Sequence, residues 1–184
     1  MTQDMNELFI EHRKVHVLYS YQTMQNYLKQ VLSFIEEGIV QEEYVLLVEN
    51  ERLSLSIMNE LRKRFSAEQL EFVHLINSLH FYRSSGSYHP PAIAEYFTKT
   101  VEPYVTNGVK FRSWAHVEWA TMTEPHYLIK DFEKIVDGAV NDYAFPLICA
   151  YASDKMPDHL LQILLETHPY VLVENELVQS VQYQ

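Results

Sequence analysis

The sequence predicts an α/β fold in three layers: a mostly parallel central sheet with helices on both faces. Three observations carry this. Strand-length apolar runs alternate with longer segments whose apolar residues step by three and four. The connections between them are short, and no low-complexity stretch or Pro/Gly/Ser-rich linker divides the 184 residues. Strands that alternate with helices in this way lie side by side in parallel and bury both sheet faces.

Taken in order, residues 1–14 are expected to form a short helical or frayed lead-in, with Leu8, Phe9 and Ile10 docking it to a single domain over residues 15–184. Val15–Tyr19 is nearly all apolar, as a strand covered on both faces should be. Met24, Tyr27, Leu28, Val31, Leu32 and Ile35 share one helical face, and Gly38 is read as the left-handed residue that ends that helix. Tyr44–Val48 is the second strand. Leu53, Ile57, Leu61 and Phe65 predict a second helix, with Arg62, Lys63 and Arg64 on its polar side, and Leu70–Ile76 a third strand. Asn77–His89, with Ser84-Ser85-Gly86-Ser87, reads as a loop. Pro90 and Pro91 open a helix striped by Ile93, Phe97, Val101 and Tyr104, and Asn107-Gly108 is a turn. Lys110–Val117 is a strand running on into Glu118 and Trp119. Thr123 and Pro125 mark the start of a helix buried through Leu128, Ile129, Phe132, Ile135, Val136 and Ala139. Tyr143–Tyr151 is a strand, and Pro146 within it implies an edge position or a bulge. A helix over Pro157–Leu165 and a last strand over Tyr170–Val173 complete the domain. Tyr44–Glu51 and Tyr170–Glu176 are nearly identical, but their flanks are not, so they are read as two similar strands and not as a repeat.

The formal charge of −11 argues against a nucleic-acid or anionic-membrane surface, because both need clustered Lys and Arg. A single cysteine, Cys149, allows no internal disulfide and fits a reducing compartment. The first fourteen residues lack the apolar stretch of a secretory signal, and no apolar run approaches the roughly 20 residues of a membrane span. The expected location is the cytoplasm.

The opening strand–helix–strand unit, Val15–Glu51, is where a nucleotide-binding protein would carry its phosphate loop. Its turn is Ser20-Tyr21-Gln22-Thr23, with neither glycine nor lysine, and G-x-x-x-x-G-K-[ST] and G-x-G-x-x-G occur nowhere. Glu49 and Glu51 stand at a strand end where a water-activating carboxylate of a RecA-type ATPase would lie, so a nucleotide-binding or hydrolytic enzyme is the alternative to weigh. Without the phosphate cradle, solvated charge is the better reading.

His16, His116, Cys149 and His168 are metal-ligand types, but none has the close paired spacing of a zinc site. Buried, hydrogen-bonded histidines without a metal are therefore expected. Cys149 lies inside an apolar strand, where a thiol is usually inert. Glu118 and Glu133 could share acid–base work only if the fold joins them. The remaining signal is a ligand rim at the carboxyl ends of the strands, where parallel sheets bind small molecules: Tyr19, Tyr21, Glu49, Asn50, Asn77, His116, Glu118, Trp119 and Tyr151. It is aromatic with a few polar groups, the common make-up of such a site.

A resemblance joins these pieces. His16-Val17-Leu18-Tyr19, Phe34-Ile35-Glu36-Glu37-Gly38-Ile39 and Glu43-Tyr44-Val45-Leu46 are followed by Gly108-Val109-Lys110-Phe111-Arg112, Glu118-Trp119 and Phe132-Glu133. Then come Cys149-Ala150-Tyr151 and His168-Pro169-Tyr170-Val171-Leu172. In this order, over nearly the whole chain, they resemble the MEDS domain, a sensory domain of methanogens and methylotrophs. The resemblance implies a RecA-like core, akin to the circadian-clock ATPases, with a degenerate P-loop, and a sensory role in place of catalysis. It implies a small-molecule ligand, a hydrocarbon derivative among the candidates, and by matched position offers His16, Glu118, Cys149 and His168 as ligand contacts. Family members are often fused to DNA-binding or histidine-kinase-like domains, for which this chain has no room. The expected output is then a separate regulatory protein such as a kinase, an anti-sigma factor or a transcription factor, with homo-oligomers also open. A module that binds only protein, without ligand, is the third reading. The cofactor, if any, is unknown from sequence.

Overall fold

The computed structural model describes residues 2–118 and 126–184. The predicted helix start at Thr123 and Pro125, and Trp119, lie outside the described residues. The strands are β1 (Thr2–Asp4), β2 (Val15–Tyr21), β3 (Tyr44–Glu49), β4 (Val73–Asn77), β5 (Phe111–His116), β6 (Pro146–Ala152), β7 (Tyr170–Val173) and β8 (Glu176–Gln179). The α-helices are α1 (Met5–Glu11), α2 (Met24–Val40), α3 (Glu51–Leu61), α4 (Ala67–Leu70), α5 (Ser78–Arg83), α6 (Pro90–Thr106), α7 (His126–Tyr143) and α8 (Asp158–Thr167). They build one eight-stranded sheet in the order β1-β8-β7-β2-β6-β5-β3-β4. From β7 to β4 every pairing is parallel; β8 and β1 add antiparallel strands at one edge. The three-layer α/β expectation holds.

Because side chains alternate across a strand, the sheet has two separately packed faces. On one, Val17, Tyr19, Leu47, Trp114 and Ile148 pack under α1, α2 and α3. On the other, Leu18, Leu46, Phe111, Leu147 and Cys149 pack under α5 to α8.

Several local readings need correction. Gly38 does not end α2: the helix runs on to Val40, Gln41 is its C-cap, and Glu42 takes the left-handed conformation at φ 55°. Gly38 is needed for proximity. A Cβ there would come within 2.4 Å of Val45 Cγ2 and 3.2 Å of Arg112 Cδ, so its absence lets α2 lie close on β3 and β5. Pro146 is on no edge; it opens β6, a central strand between β2 and β5, and the first residue of a strand tolerates a missing N–H. The predicted loop after β4 holds α5, capped by the Asn77 side chain, which accepts from the His80 N–H at 3.2 Å. In the lead-in Met5, Leu8 and Phe9 are buried, whereas Ile10 is exposed. Tyr170–Val173 is not the last strand: the chain turns through Glu174, at φ 55°, into β8.

Candidate functional site

Two groups of buried polar side chains occupy the two faces. The first lies under α2, towards the carboxyl ends of the strands. Glu49, the last residue of β3, is fully buried. Tyr27 donates its hydroxyl to Glu49 Oε2, and the indole N–H of Trp114 donates to that Tyr27 oxygen at 3.0 Å. His116 Nδ1 lies 2.7 Å from Glu49 Oε1, and Tyr21 Oη lies 2.7 Å from His116 Nε2. Since a carboxylate only accepts, Nδ1 carries a proton, and in the neutral ring Nε2 accepts from Tyr21. Asn50 completes the group, its backbone N–H on Glu49 Oε1 and its side chain on Glu118 Oε2 at 2.9 Å. Burial, and next the charge of Glu49, push the Tyr27 hydroxyl well above its ordinary pKa. Among the described residues the network is closed, with both Glu49 oxygens hydrogen-bonded and the side chain fully buried.

The second group lies on the opposite face, between β2, β6, α7 and the end of α8. His16, Glu133, Cys149 and His168 are buried to within 1%. Glu133 Oε2 is 3.4 Å from His16 Nε2 and 3.5 Å from His168 Nε2. Cys149 Sγ is 3.5 Å from His16 Nε2 and 3.7 Å from Glu133 Oε2, and Tyr151 donates to Glu133 Oε1. The two imidazoles lie tilted at 35° to one another with centroids 4.0 Å apart. Each is oriented from behind: His16 Nδ1 by Asp137 at 3.1 Å, His168 Nδ1 by the Leu164 carbonyl at 2.7 Å. Burial disfavours the imidazolium at His16, but Asp137 and Glu133 outweigh it and raise that pKa. At His168 burial, helped by the neighbouring His16, prevails and lowers the pKa to about 4. Burial also works against the Glu133 carboxylate, yet the two histidines and Tyr151 hold its pKa below the ordinary value. Burial and then the Glu133 charge push the Cys149 thiol well up.

Two hollows adjoin these groups. An apolar cavity of about 260 Å³ lies between the sheet and α6 and α7, with Cys149, Ala115 and Leu147 in its floor and Phe97, Val136 and Ala139 among its walls. A larger and more polar groove, about 610 Å³, runs along the carboxyl ends of β2 and β7, past Tyr19, Tyr21, Asn26, Lys29 and Glu174. It occupies the place of the absent phosphate loop, and among the described residues Lys29 is the one cation in its lining.

A family model for MEDS, described as the methanogen/methylotroph, DcmR sensory domain, matches residues 15–169. The chain belongs to the MEDS family. No curated protein matches it.

Of the residues singled out in this MEDS domain from sequence, Tyr21, Glu49, His116 and Glu118 meet in the first group. His16, Cys149 and His168 meet in the second, with Tyr151 on the rim of that group through Glu133. Tyr19 belongs to neither; it packs edge-on against Trp114 at 5.7 Å. Glu118 and Glu133, weighed as a pair, have separate partners. Sequence reading missed Tyr27 and Trp114, which looked like ordinary core, and Asp137. One signal was there to be used: Glu133 and Asp137 sit one turn apart beside the apolar stripe of α7, where carboxylates are rarely buried unless paired.

Proposed function

We propose that this MEDS domain is a non-catalytic sensor that takes up a small, largely apolar molecule and signals through a separate regulatory protein. The observation that carries this reading is the 260 Å³ apolar cavity over Cys149. Ligand pockets run from about 300 to 1,000 Å³, so a cavity of this size suits a compact molecule of hydrocarbon-derivative size. An apolar cavity of ~150 Å³ already admits benzene. Family membership supports the sensory role. The burial of Glu49 and the presence, among the described residues, of a single cation, Lys29, in the polar groove favour sensing over nucleotide hydrolysis. Among the described residues no helix is long and apolar enough to cross a membrane.

Thermal-shift titration with hexanol tests this. Hexanol is expected to raise the melting temperature saturably, since a ligand of the folded state stabilises it by mass action. Gly138→Leu, which puts a side chain into open space at the cavity wall, should abolish the shift. ATP with Mg²⁺ should leave the melting temperature where it is; a saturable rise with ATP would overturn the reading in favour of a nucleotide enzyme.

A further inference from the structure

Around Glu133 one lone pair has no proton to meet. The Leu164 carbonyl can only accept, so the proton of a neutral His168 imidazole sits on Nδ1, and Nε2 is left as a bare acceptor. That Nε2 is fully buried, has no hydrogen-bond partner among the described residues, and faces Glu133 Oε2 at 3.5 Å, which is another acceptor. Two acceptors pointed at one another in a dry core repel each other unless a cation lies between them. His16 Nε2 and Cys149 Sγ converge on the same point.

We propose that His16 Nε2, His168 Nε2, Cys149 Sγ and Glu133 Oε2 bind a divalent transition ion of the zinc class in tetrahedral coordination. The four donor atoms all lie within 4.8 Å of one another. A tetrahedral ion holding nitrogen or oxygen at 2.0–2.1 Å and sulfur at 2.3 Å sets its donors roughly 3.3–3.6 Å apart. Four of the six separations here are 3.4, 3.5, 3.5 and 3.7 Å, and the two between His168 and the His16 and Cys149 donors lie within 4.8 Å. Charge fits as well as distance. On binding, the thiol proton and the Nε2 proton of any His16 imidazolium leave to solvent, and the thiolate and both imidazole nitrogens take their places on the ion. A divalent cation, one thiolate, one carboxylate and two neutral imidazoles then sum to zero, the balance a site without water requires. The supporting contacts are those metal-bound histidines use: the far nitrogen of one ring on a carboxylate, of the other on a backbone carbonyl, with Tyr151 holding the second oxygen of Glu133. Mixed nitrogen, sulfur and oxygen donors select zinc or cobalt(II) over calcium or magnesium. With four protein ligands no position is left for a substrate, so the ion is structural or regulatory: it ties α7 and the end of α8 to β2 and β6. The inference rests on these four side chains and stands whether or not the cavity takes an organic ligand.

The group at Glu49, His116 and Glu118 also gathers ligand types, but both His116 nitrogens are already hydrogen-bonded and it carries no such site.

To test the proposal, the full chain is unfolded with chelator, refolded with equimolar Co²⁺, and its absorption spectrum recorded, so that burial of the site cannot hide it. Intense visible bands of tetrahedral cobalt and a near-ultraviolet thiolate-to-cobalt band are expected. The thiolate band should vanish in Cys149→Ser, and the tetrahedral bands should weaken in His168→Gln. X-ray absorption on the zinc-refolded wild type keeps the proposal testable should the variants fail to fold. It should show one sulfur at about 2.3 Å and three nitrogen or oxygen neighbours at about 2.0–2.1 Å. A refolded protein that retains neither metal overturns the proposal, as do a six-coordinate oxygen shell or a thiolate band that survives in folded Cys149→Ser.

Discussion

Beneath α2, Glu49 sits in a ring of hydrogen bonds that uses Tyr27, Trp114, His116, Tyr21 and Asn50, and every proton in that ring has one acceptor. Beneath α7, Glu133 meets two imidazoles and a thiol, and one imidazole nitrogen has no proton to share. The packing around the two groups differs in the same direction. On α2 a missing Cβ, at buried Gly38, brings helix and sheet into contact; on α7 Gly138 is exposed at the mouth of the hollow, and an added Cβ there would meet nothing within 4 Å. The sheet thus carries a satisfied group around Glu49, with Arg112 Nη1 and Nη2 left unpartnered elsewhere on that face, and, around Glu133, an unpaired imidazole nitrogen beside an unfilled hollow. A buried carboxylate is therefore no sign of function by itself; the lone pairs left over around it are the more telling feature.

The largest effect should come from breaking the closed ring. Glu49→Ala strips Tyr27, His116 and the Asn50 N–H of their acceptor and should destabilise the protein by about 3–5 kcal/mol. Urea unfolding measures this, and a loss below ~1 kcal/mol would mean that the ring is incidental to stability. Next comes chelation. An ion present at a thousandfold over its Kd adds about 4 kcal/mol, so a strong chelator should lower the melting temperature of wild type. The drop should persist in Glu49→Gln and disappear in Cys149→Ser. Equal chelator effects in both variants would erase the distinction between the faces.

The glycine pair sharpens the comparison at smaller scale. Gly38→Ala pushes a methyl into Val45 and should lose about 1–3 kcal/mol, read from the urea midpoint. Gly138→Ala should gain about 1 kcal/mol, since alanine is the better helix former and space is free. The same substitution on two helices should thus move stability in opposite directions, and a loss at Gly138 as well would show that the space beside it is not free.

Much of the sheet is legible in the sequence because parallel strands are continuous apolar runs and the helices between them are amphipathic. The opening of α6 at its paired prolines and the turn at Gly108 follow from local chemistry in the same way. What escapes is set by distant partners. Tyr44–Glu51 and Tyr170–Glu176 share nearly the same letters. In the first, Glu49 is held by His116 and Tyr27, and Asn50 caps α3; in the second, Glu174 turns a hairpin into β8 at the sheet's antiparallel end. Nothing local separates these outcomes. β1 and β8 are short, and β1 is polar, so neither has the pattern of a buried strand. The second polar group escapes for the same reason: Cys149 is 133 residues from His16 and 16 from Glu133, spacings that signal no ligand pair until the sheet aligns them.

Helix α7 belongs to both features of the open face. Glu133 and Asp137 reach the imidazoles, while Phe132, Val136 and Ala139 wall the hollow. A guest that shifts this helix therefore also shifts two groups that hold or orient the ion. Equilibrium linkage makes that influence reciprocal: whatever factor the guest applies to the ion's affinity, the ion applies to the guest's. A hexanol titration run with and without zinc would measure that factor from either side, and a factor of one would mean that α7 stays rigid between its two tasks.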